Sequence, residues 1–116
     1  MLFVWYPKCS TCQRAKKWLD AQGKAAEVRD IKAQPPTAEE LSAWQEKSGL
    51  PLKKFFNTSG QSYRALGLKD RLDTMDRAEQ LALLAGDGML VKRPILVDGD
   101  RVLVGFKEAD WAAALG

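Results

Sequence analysis

The chain has 116 residues, of which 46% are hydrophobic and 28% are charged, and this composition fits one compact domain with a single core. Its 18 basic and 15 acidic residues give a net charge of +3, too small an excess to demand nucleic acid or an anionic membrane as a partner. Histidine is absent, which excludes a catalytic histidine base, a Ser-His-Asp triad and any zinc site that contains histidine.

The expected location in the cell follows from the absence of membrane-spanning and secretion signals in the sequence. No apolar run approaches the roughly 20 residues of a membrane-spanning helix, so we expect no membrane partner. Residues 1–6 have neither the basic start nor the small-residue cleavage site of a secretion signal, so we expect a cytoplasmic protein. In a reducing compartment, two cysteines three positions apart favour redox or metal chemistry over a structural disulfide.

The N-terminal part predicts a strand, a helix and a second strand. Residues 2–6 form a short apolar, aromatic run that ends at Pro7, which predicts a buried strand. Residues 10–22 place apolar side chains at helical spacing, with Gln22 on the same face and Gly23 able to cap the helix. Residues 26–31 alternate β-branched and charged side chains and complete a strand-helix-strand unit.

Residues 37–86 predict a series of helices. The segment Thr37-Ala-Glu-Glu40 is a capping box that starts a helix closed by Gly49. Shorter helical pieces follow, and a similar capping pattern at Asp76 starts a helix that ends at Gly86.

The C-terminal part returns to strands. Residues 94–97 and 101–104 predict two strands joined by a hairpin turn at Asp98-Gly99, and residues 108–115 predict a closing helix. The resulting βαβ…ββα order matches a thioredoxin-like layout. The sequence therefore predicts an α/β fold with a mixed four-stranded sheet, as one domain over 1–116 with a helical insertion at about 37–86.

The segment Cys9-Ser-Thr-Cys12 lies at the junction between the first strand and the first helix. Cys9 is therefore expected near free backbone N–H groups and the positive end of the helix dipole, which favours its thiolate. Lys8, Arg14 and Lys16 add positive charge nearby in sequence, and the thiolate is the reactive form of cysteine. Cys12 follows about one helical turn later, where it can attack a mixed disulfide formed on Cys9.

Three other interpretations of this pair carry less weight. The two residues can be ordinary reduced thiols, or half of a zinc site that carboxylates would have to complete. A structural disulfide between them would close so short a loop that little unfolded-state entropy is removed. A phosphatase-type loop would need arginine at position 15, where this chain has Ala15.

Four segments in chain order resemble the ArsC/Spx family: Trp5-Tyr-Pro-Lys-Cys-Ser-Thr-Cys12, Phe56-Asn-Thr-Ser-Gly60, Arg93-Pro94 and Val104-Gly-Phe-Lys-Glu108. The resemblance spans nearly the whole chain and is narrowest to the bacterial arsenate reductase-like branch that carries Cys-x-x-Cys. It implies a thioredoxin-like fold and a thiol–disulfide oxidoreductase that uses Cys9 and Cys12.

In the glutaredoxin-linked arsenate reductases of this family, one cysteine attacks arsenate and three arginines hold the oxyanion. The resemblance places that cysteine at Cys9 and one arginine at Arg93, whereas the other two arginines would fall near Asn57 and Gly105. Position 12, typically serine in those enzymes, is Cys12, which implies that the protein resolves its own disulfide. We therefore expect weak or absent arsenate reduction.

Further site residues follow from the same resemblance. Arg93, unless it is a plain surface cation, would hold anions and lower the pKa of Cys9. Ser10 and Thr11 would offer donors to an anion at the helix start, although capping the helix is their more ordinary role. Pro94 resembles the cis-proline that faces the active cysteine in this fold. No bound cofactor is implied, and the expected reductant is glutaredoxin, glutathione or thioredoxin.

The Spx branch gives an alternative function, a redox-sensing transcriptional regulator that binds the C-terminal domain of the RNA polymerase α subunit. This chain shares Cys9, Cys12, Arg93-Pro94 and the 104–108 pattern with that branch. Spx-like chains continue with an extra tail, so we place the regulator second.

Two other sequence features have ordinary structural explanations. The basic pairs Lys53-Lys54 and Lys92-Arg93 lack interleaved aromatic residues, so we interpret them as solvated faces and expect no direct nucleic-acid partner. The four tryptophans lie within predicted elements and are expected to pack structurally: Trp5, Trp18, Trp44 and Trp111.

Overall fold

A computed structural model describes residues 1–115 and contains one mixed sheet with the strand order β2-β1-β3-β4. The strands are β1 (Leu2–Trp5), β2 (Glu27–Asp30), β3 (Ile95–Asp98) and β4 (Arg101–Val104). β1 pairs in parallel with β2 and antiparallel with β3, and β3 pairs antiparallel with β4. The predicted α/β class and mixed four-stranded sheet are confirmed.

Six α-helices accompany the sheet: α1 (Ser10–Ala21), α2 (Ala38–Ser48), α3 (Gln61–Ala65), α4 (Leu68–Arg71), α5 (Arg77–Gly86) and α6 (Glu108–Leu115). Short 3₁₀ helices cover Leu52–Phe55, Leu72–Thr74 and Gly88–Leu90. Helices α2 to α5 lie between β2 and β3 in the chain, where the sequence predicts helices. Within residues 1–115, no helix has the length and hydropathy needed to cross a membrane.

The start of α2 forms as its capping pattern predicts. The Thr37 hydroxyl accepts a hydrogen bond from the Glu40 N–H at 3.1 Å, and the Glu40 carboxylate accepts one from the Thr37 N–H at 3.0 Å. Gly49 ends the helix with a φ of +69°, a conformation that glycine adopts without strain. The Arg29 guanidinium also bonds both Glu40 oxygens, at 2.7 and 2.9 Å, and so fastens the insertion to β2.

One prediction about side-chain burial is wrong. Gln22 is the exposed C-cap of α1 rather than part of its buried face, because the helix ends at Ala21. Val28 is 43% exposed because β2 is an edge strand. The buried apolar side chain just after β2 is Ile31, which belongs to the larger apolar cluster.

The hairpin turn lies one residue later than predicted. Asp98 is still paired, with Arg101, so the two-residue loop is Gly99-Asp100. Gly99 has a φ of +60° and Asp100 has no positive φ, the pattern of a type II′ turn.

Helices cover both faces of the sheet, with one apolar cluster on each face. The larger cluster joins Val4, Ile95 and Val102 to the insertion helices. The smaller cluster joins α1 and α6 to the opposite face of β1 and β3 through Phe3, Ala15, Leu19, Leu96 and Trp111. All four tryptophans belong to or pack against these clusters, as predicted. The sheet is therefore rigidly held at the end where β1 leads into α1.

Candidate active site

Cys9 occupies the N-cap position of α1. Its N–H donates to the Tyr6 carbonyl at 2.9 Å, and its carbonyl accepts from the Gln13 N–H at 3.0 Å. The Gln13 side chain also donates to the Pro7 carbonyl at 2.7 Å, which closes the loop before the helix. These bonds fix the cysteine at the junction between β1 and α1.

The expected capping by Ser10 and Thr11 is wrong. Cys9 itself is the N-cap residue, Ser10 and Thr11 lie within the first helical turn, and no side chain among residues 1–115 caps the helix. Ser10 and Thr11 therefore leave the first-turn N–H groups to Cys9, whose thiolate can interact with the positive end of the helix.

Cys9 is half-buried, and its surroundings favour the thiolate. Partial burial raises the pKa of Cys9, but hydrogen bonds from the Cys12 backbone and thiol and the positive charge of Arg93 outweigh it. The pKa of Cys9 therefore lies below its ordinary value, as predicted, so its thiolate forms at lower pH than that of an ordinary cysteine.

Cys12 is a completely buried thiol on the inner face of α1. Burial, with a smaller contribution from the neighbouring Cys9, raises the pKa of Cys12 to about 12 against the opposing effects of Tyr6 and Arg93. Deprotonation is therefore favoured at Cys9 over Cys12.

Arg93 is held by contacts on two sides. Its Nη1 donates to the Met89 carbonyl at 3.3 Å, and its guanidinium carbon lies 5.4 Å from the centre of the Tyr6 ring. Its Nε is buried and has no hydrogen-bond partner among residues 1–115. Arg93 is therefore anchored beside the thiolate rather than being a plain surface cation. The Arg93–Pro94 peptide bond is cis, as the resemblance implies.

An open cleft of about 1260 Å³ begins at Cys9 and is lined by Thr11 and Arg93. Asn57 and Gly105, the positions where two further arginines would fall in an arsenate reductase, also line it. Of these three positions, Arg93 alone carries a cation. Ser10 and Pro94 are not among the lining residues; Ser10 is exposed and Pro94 is buried.

The cleft is strongly basic, which the sequence does not predict. Of the 18 basic residues of the chain, seven line the cleft, against one of its 15 acidic residues, Asp110. The seven are Arg14, Lys53, Lys54, Arg64, Lys92, Arg93 and Lys107. These residues come from segments that are distant in sequence. In the sequence, only the two basic pairs indicate this cluster, and we interpret them above as solvated faces.

A metal centre at the cysteine pair lacks further ligands. Across residues 1–115, no group of three or more His, Cys, Asp or Glu side chains lies close enough together to hold an ion.

Replacing Arg93 by alanine should raise the pKa of Cys9, because the substitution removes a charge that stabilises the thiolate. The rate of alkylation by iodoacetamide rises with pH as the thiolate forms, so this rise should move to higher pH. Cys12 does not interfere, because its pKa of about 12 keeps it protonated. Lys17→Ala, which removes an exposed charge elsewhere on α1, is the control. An unchanged profile in Arg93→Ala would remove Arg93 from the site.

Known proteins are similar to this sequence over most of its length. The Bacillus subtilis protein YusI, which is uncharacterised, is 60% identical over 116 residues, with 97% of this chain and 98% of YusI covered. The global transcriptional regulator Spx of Enterococcus faecalis is 28% identical over 102 residues, covering 88% of this chain and 76% of Spx.

Solved structures give the same result. An ArsC family related protein from Bacteroides fragilis has a TM-score of 0.94 at 54% identity, covering 97% of this chain and 94% of that one. A protein described as a possible arsenate reductase from Streptococcus mutans has a TM-score of 0.87 at 52% identity, with 96% of both chains covered. Residues 4–114 match the ArsC family. With its fold, its cysteine pair and this match in agreement, the chain belongs to the ArsC family.

Proposed function

We propose that this protein is an arsenate reductase-like thiol–disulfide oxidoreductase in which Cys9 attacks the substrate and Cys12 resolves the intermediate. The observation that carries the proposal is the opposite direction of the two pKa shifts at one site, lowered for the half-buried Cys9 and raised for the buried Cys12. A two-step exchange requires one cysteine that attacks as a thiolate and a second that stays protonated until the mixed disulfide has formed.

In the first step, the Cys9 thiolate attacks one sulfur of a substrate disulfide. A Cys9–substrate disulfide forms, and the other substrate sulfur leaves as a thiolate that takes a proton from water. In the second step, Cys12 loses its proton and attacks Cys9 Sγ, which releases the remaining substrate sulfur. The substrate gains two electrons, and the protein is left with a Cys9–Cys12 disulfide.

The mixed disulfide itself assists the second step. Burial is the largest cause of the raised pKa of Cys12, and the neighbouring Cys9 is a further one. Once Cys9 is bonded to substrate it carries no charge, so one cause of the raised pKa disappears and Cys12 loses its proton more readily. Two external thiol groups, from thioredoxin, glutaredoxin or two glutathione molecules, are then oxidised to a disulfide and return two electrons and two protons to the Cys9–Cys12 disulfide.

Arsenate is a poor substrate in this proposal. Arg93 is the one arginine that matches the three-arginine pattern, and Asn57 and Gly105 supply no charge at the other two positions. An oxyanion would therefore lose most of its charge-assisted hydrogen bonds.

A coupled assay that offers glutaredoxin and thioredoxin as alternative reductants tests the proposal. Turnover of 2-hydroxyethyl disulfide should exceed turnover of arsenate by at least about 10²-fold, the loss expected when charge-assisted contacts are missing. Arsenate turnover at the rate of an authentic reductase would contradict our interpretation of positions 57 and 105, and no turnover of any disulfide would contradict the oxidoreductase.

The second candidate function is an Spx-like regulator, and the similarity to a named Spx protein supports it. A regulator would bind the C-terminal domain of the RNA polymerase α subunit with an affinity that changes when the cysteine pair is oxidised. Binding of that domain by the wild type that is altered in Cys9→Ser would place the regulator first. No binding in either redox state, together with disulfide turnover, would leave the oxidoreductase.

A further inference from the structure

We propose that Lys92 and Arg93 form an anion site beside Cys9, which binds an anionic group that the substrate carries close to its disulfide. The inference rests on the proposed function, because it names the substrate class of the same site as anionic disulfides. Three features support it: the partial burial of these two cations, the position of the Lys92 side chain over Gly105, and the anchoring of Arg93 next to the reacting sulfur.

Lys92 and Arg93 differ from the other cations of the cleft in their burial. Both are half-buried, whereas the other five are exposed: Arg14, Lys53, Lys54, Arg64 and Lys107. Neither of the two belongs to the ion pairs found among residues 1–115. A half-buried charge is screened less by water and salt than an exposed one, so an anion in the cleft is attracted most strongly by Lys92 and Arg93.

Gly105 makes room for the Lys92 side chain in the wall of the cleft. The Lys92 N–H donates to the Phe55 carbonyl at 2.7 Å, which fixes the start of the side chain. A Cβ atom at position 105 would lie 3.3 Å from Lys92 Cε, so the end of the side chain lies over this glycine. The Gly105 N–H in turn donates to the carbonyl of Pro94, the residue after Arg93, at 2.8 Å. The two cations therefore belong to the same part of the cleft wall.

Arg93 connects this part of the wall to the reactive sulfur. Partial burial raises the pKa of Cys9, and hydrogen bonds from Cys12, followed by the charge and a hydrogen bond of Arg93, lower it. The Met89 carbonyl and the Tyr6 ring hold the guanidinium in this place. An anion that contacts Arg93 therefore lies next to the sulfur that attacks the substrate.

Formation of the mixed disulfide leaves Arg93 without its anionic partner. Cys9 carries no charge once it is bonded to a substrate sulfur, whereas the contacts with Met89 and Tyr6 keep the guanidinium in place. A partly buried cation without a counter-ion is unfavourable, and the buried Nε of Arg93 has no hydrogen-bond partner within residues 1–115. An anionic group a few bonds from the substrate sulfur replaces the thiolate at Arg93, and Lys92 supplies a second charge.

The two cations do not rebuild a three-arginine arsenate site. The Lys92 ammonium is a point charge, whereas a guanidinium offers a planar fork of donors that matches an oxyanion. Asn57 supplies no charge on its side of the cleft. The site therefore favours a bound anionic group on a disulfide, and arsenate itself stays a poor substrate.

Turnover of three small disulfides of similar length tests the inference. 3,3′-Dithiodipropionate carries two carboxylates, 2-hydroxyethyl disulfide is neutral and cystamine carries two ammonium groups. Each kcat/KM is divided by the rate of the same disulfide with dithiothreitol, which removes differences in intrinsic reactivity. The normalised value for dithiodipropionate should exceed that for cystamine by at least about tenfold, with the neutral disulfide between them.

Substitutions of Lys92 locate this preference. Lys92→Ala should lower kcat/KM for dithiodipropionate by about fivefold and for the neutral disulfide by less than about twofold, because only the first substrate loses a charge contact. Lys92→Arg keeps the charge and should keep the preference. Lys17→Ala removes one charge at an exposed residue outside the cleft and should change each value by less than about twofold.

The pH profile of Cys9 alkylation by iodoacetamide tests the site without disulfide chemistry. Sulfate should bind better to the neutral thiol than to the thiolate, which competes for Arg93, so by linkage bound sulfate raises the pKa of Cys9. Compared with sodium chloride of equal ionic strength, sodium sulfate should move the rise in alkylation rate upward by at least about 0.3 pH units. Lys92→Ala should remove most of this shift.

Three outcomes would overturn the anion site: equal normalised values for the three disulfides, an unchanged preference in Lys92→Ala, or the same alkylation profile in sulfate and in chloride. Absence of turnover with all three disulfides would instead contradict the proposed function. In that case the alkylation profile would still decide whether Lys92 and Arg93 bind an anion beside Cys9.

Discussion

Replacing Cys12 by serine should lower the turnover of a disulfide substrate by at least about 10²-fold and leave the substrate attached to Cys9. The reason is that Cys9 retains the helix N-terminus and Arg93, which favour its thiolate, so the first attack still takes place. Without the Cys12 sulfur one turn away, the mixed disulfide has no internal partner to resolve it. Intact-mass spectrometry without reductant measures the trapped adduct.

The matched control is Cys9→Ser, which keeps Cys12 in its buried position. With a pKa of about 12, Cys12 should form no adduct at neutral pH, and turnover should fall by at least about 10³-fold. Wild-type protein after mild oxidation should lose both free thiols to an intramolecular disulfide. Two thiols that persist after oxidation, or an adduct on Cys12 in the wild type, would contradict the assignment of roles.

Trp111→Ala should lower the free energy of unfolding by about 3–5 kcal/mol, the range for removing a large aromatic side chain from a packed core. Trp111 is 1% exposed, and its ring lies in edge contact with Phe3, Trp18 and Phe106 at centroid distances of 6.4, 6.2 and 5.0 Å. The substitution would leave a cavity between α1, α6 and the sheet. Urea unfolding followed by circular dichroism measures the change.

Trp111→Phe separates the packing of this residue from its hydrogen bond. The Trp111 indole N–H donates to the Gly105 carbonyl at 3.0 Å, and Pro94, which faces Gly105 in the ladder, has no N–H to take its place. Loss of this donor should cost about 1–3 kcal/mol. Leu66→Ala, at a side chain that is 39% exposed, should change stability by less than about 0.5 kcal/mol. Equal destabilisation by Trp111→Ala and Leu66→Ala would show that α6 does not hold this face of the sheet.

Both sets of variants concern the same end of the sheet. Gly105 accepts from Trp111, donates to the Pro94 carbonyl and lines the cleft that begins at Cys9. The smaller apolar cluster therefore packs against the part of the protein that carries Cys9. Substitutions in this cluster are expected to lower activity as well as stability.

Local signals in the sequence predict most of the elements, because caps and turns depend on residues within about four positions of each other. Three features lie where the sequence predicts them: the capping box at Thr37, the helix 108–115 and the Cys-x-x-Cys at a strand-helix junction. The errors are also local. Gln22 continues the helical spacing of apolar positions past Ala21, where α1 ends.

What the sequence by itself determines here is therefore the order of elements, the fold class and the position of the cysteine pair at the strand–helix junction. The tertiary structure decides the rest of the site. It brings Arg93 to Cys9, buries Cys12 so that its pKa rises to about 12, and gathers seven cations along one cleft. The physical reason is that burial and electrostatic fields depend on which groups pack together in space, and residues distant along the chain meet only once the sheet has formed.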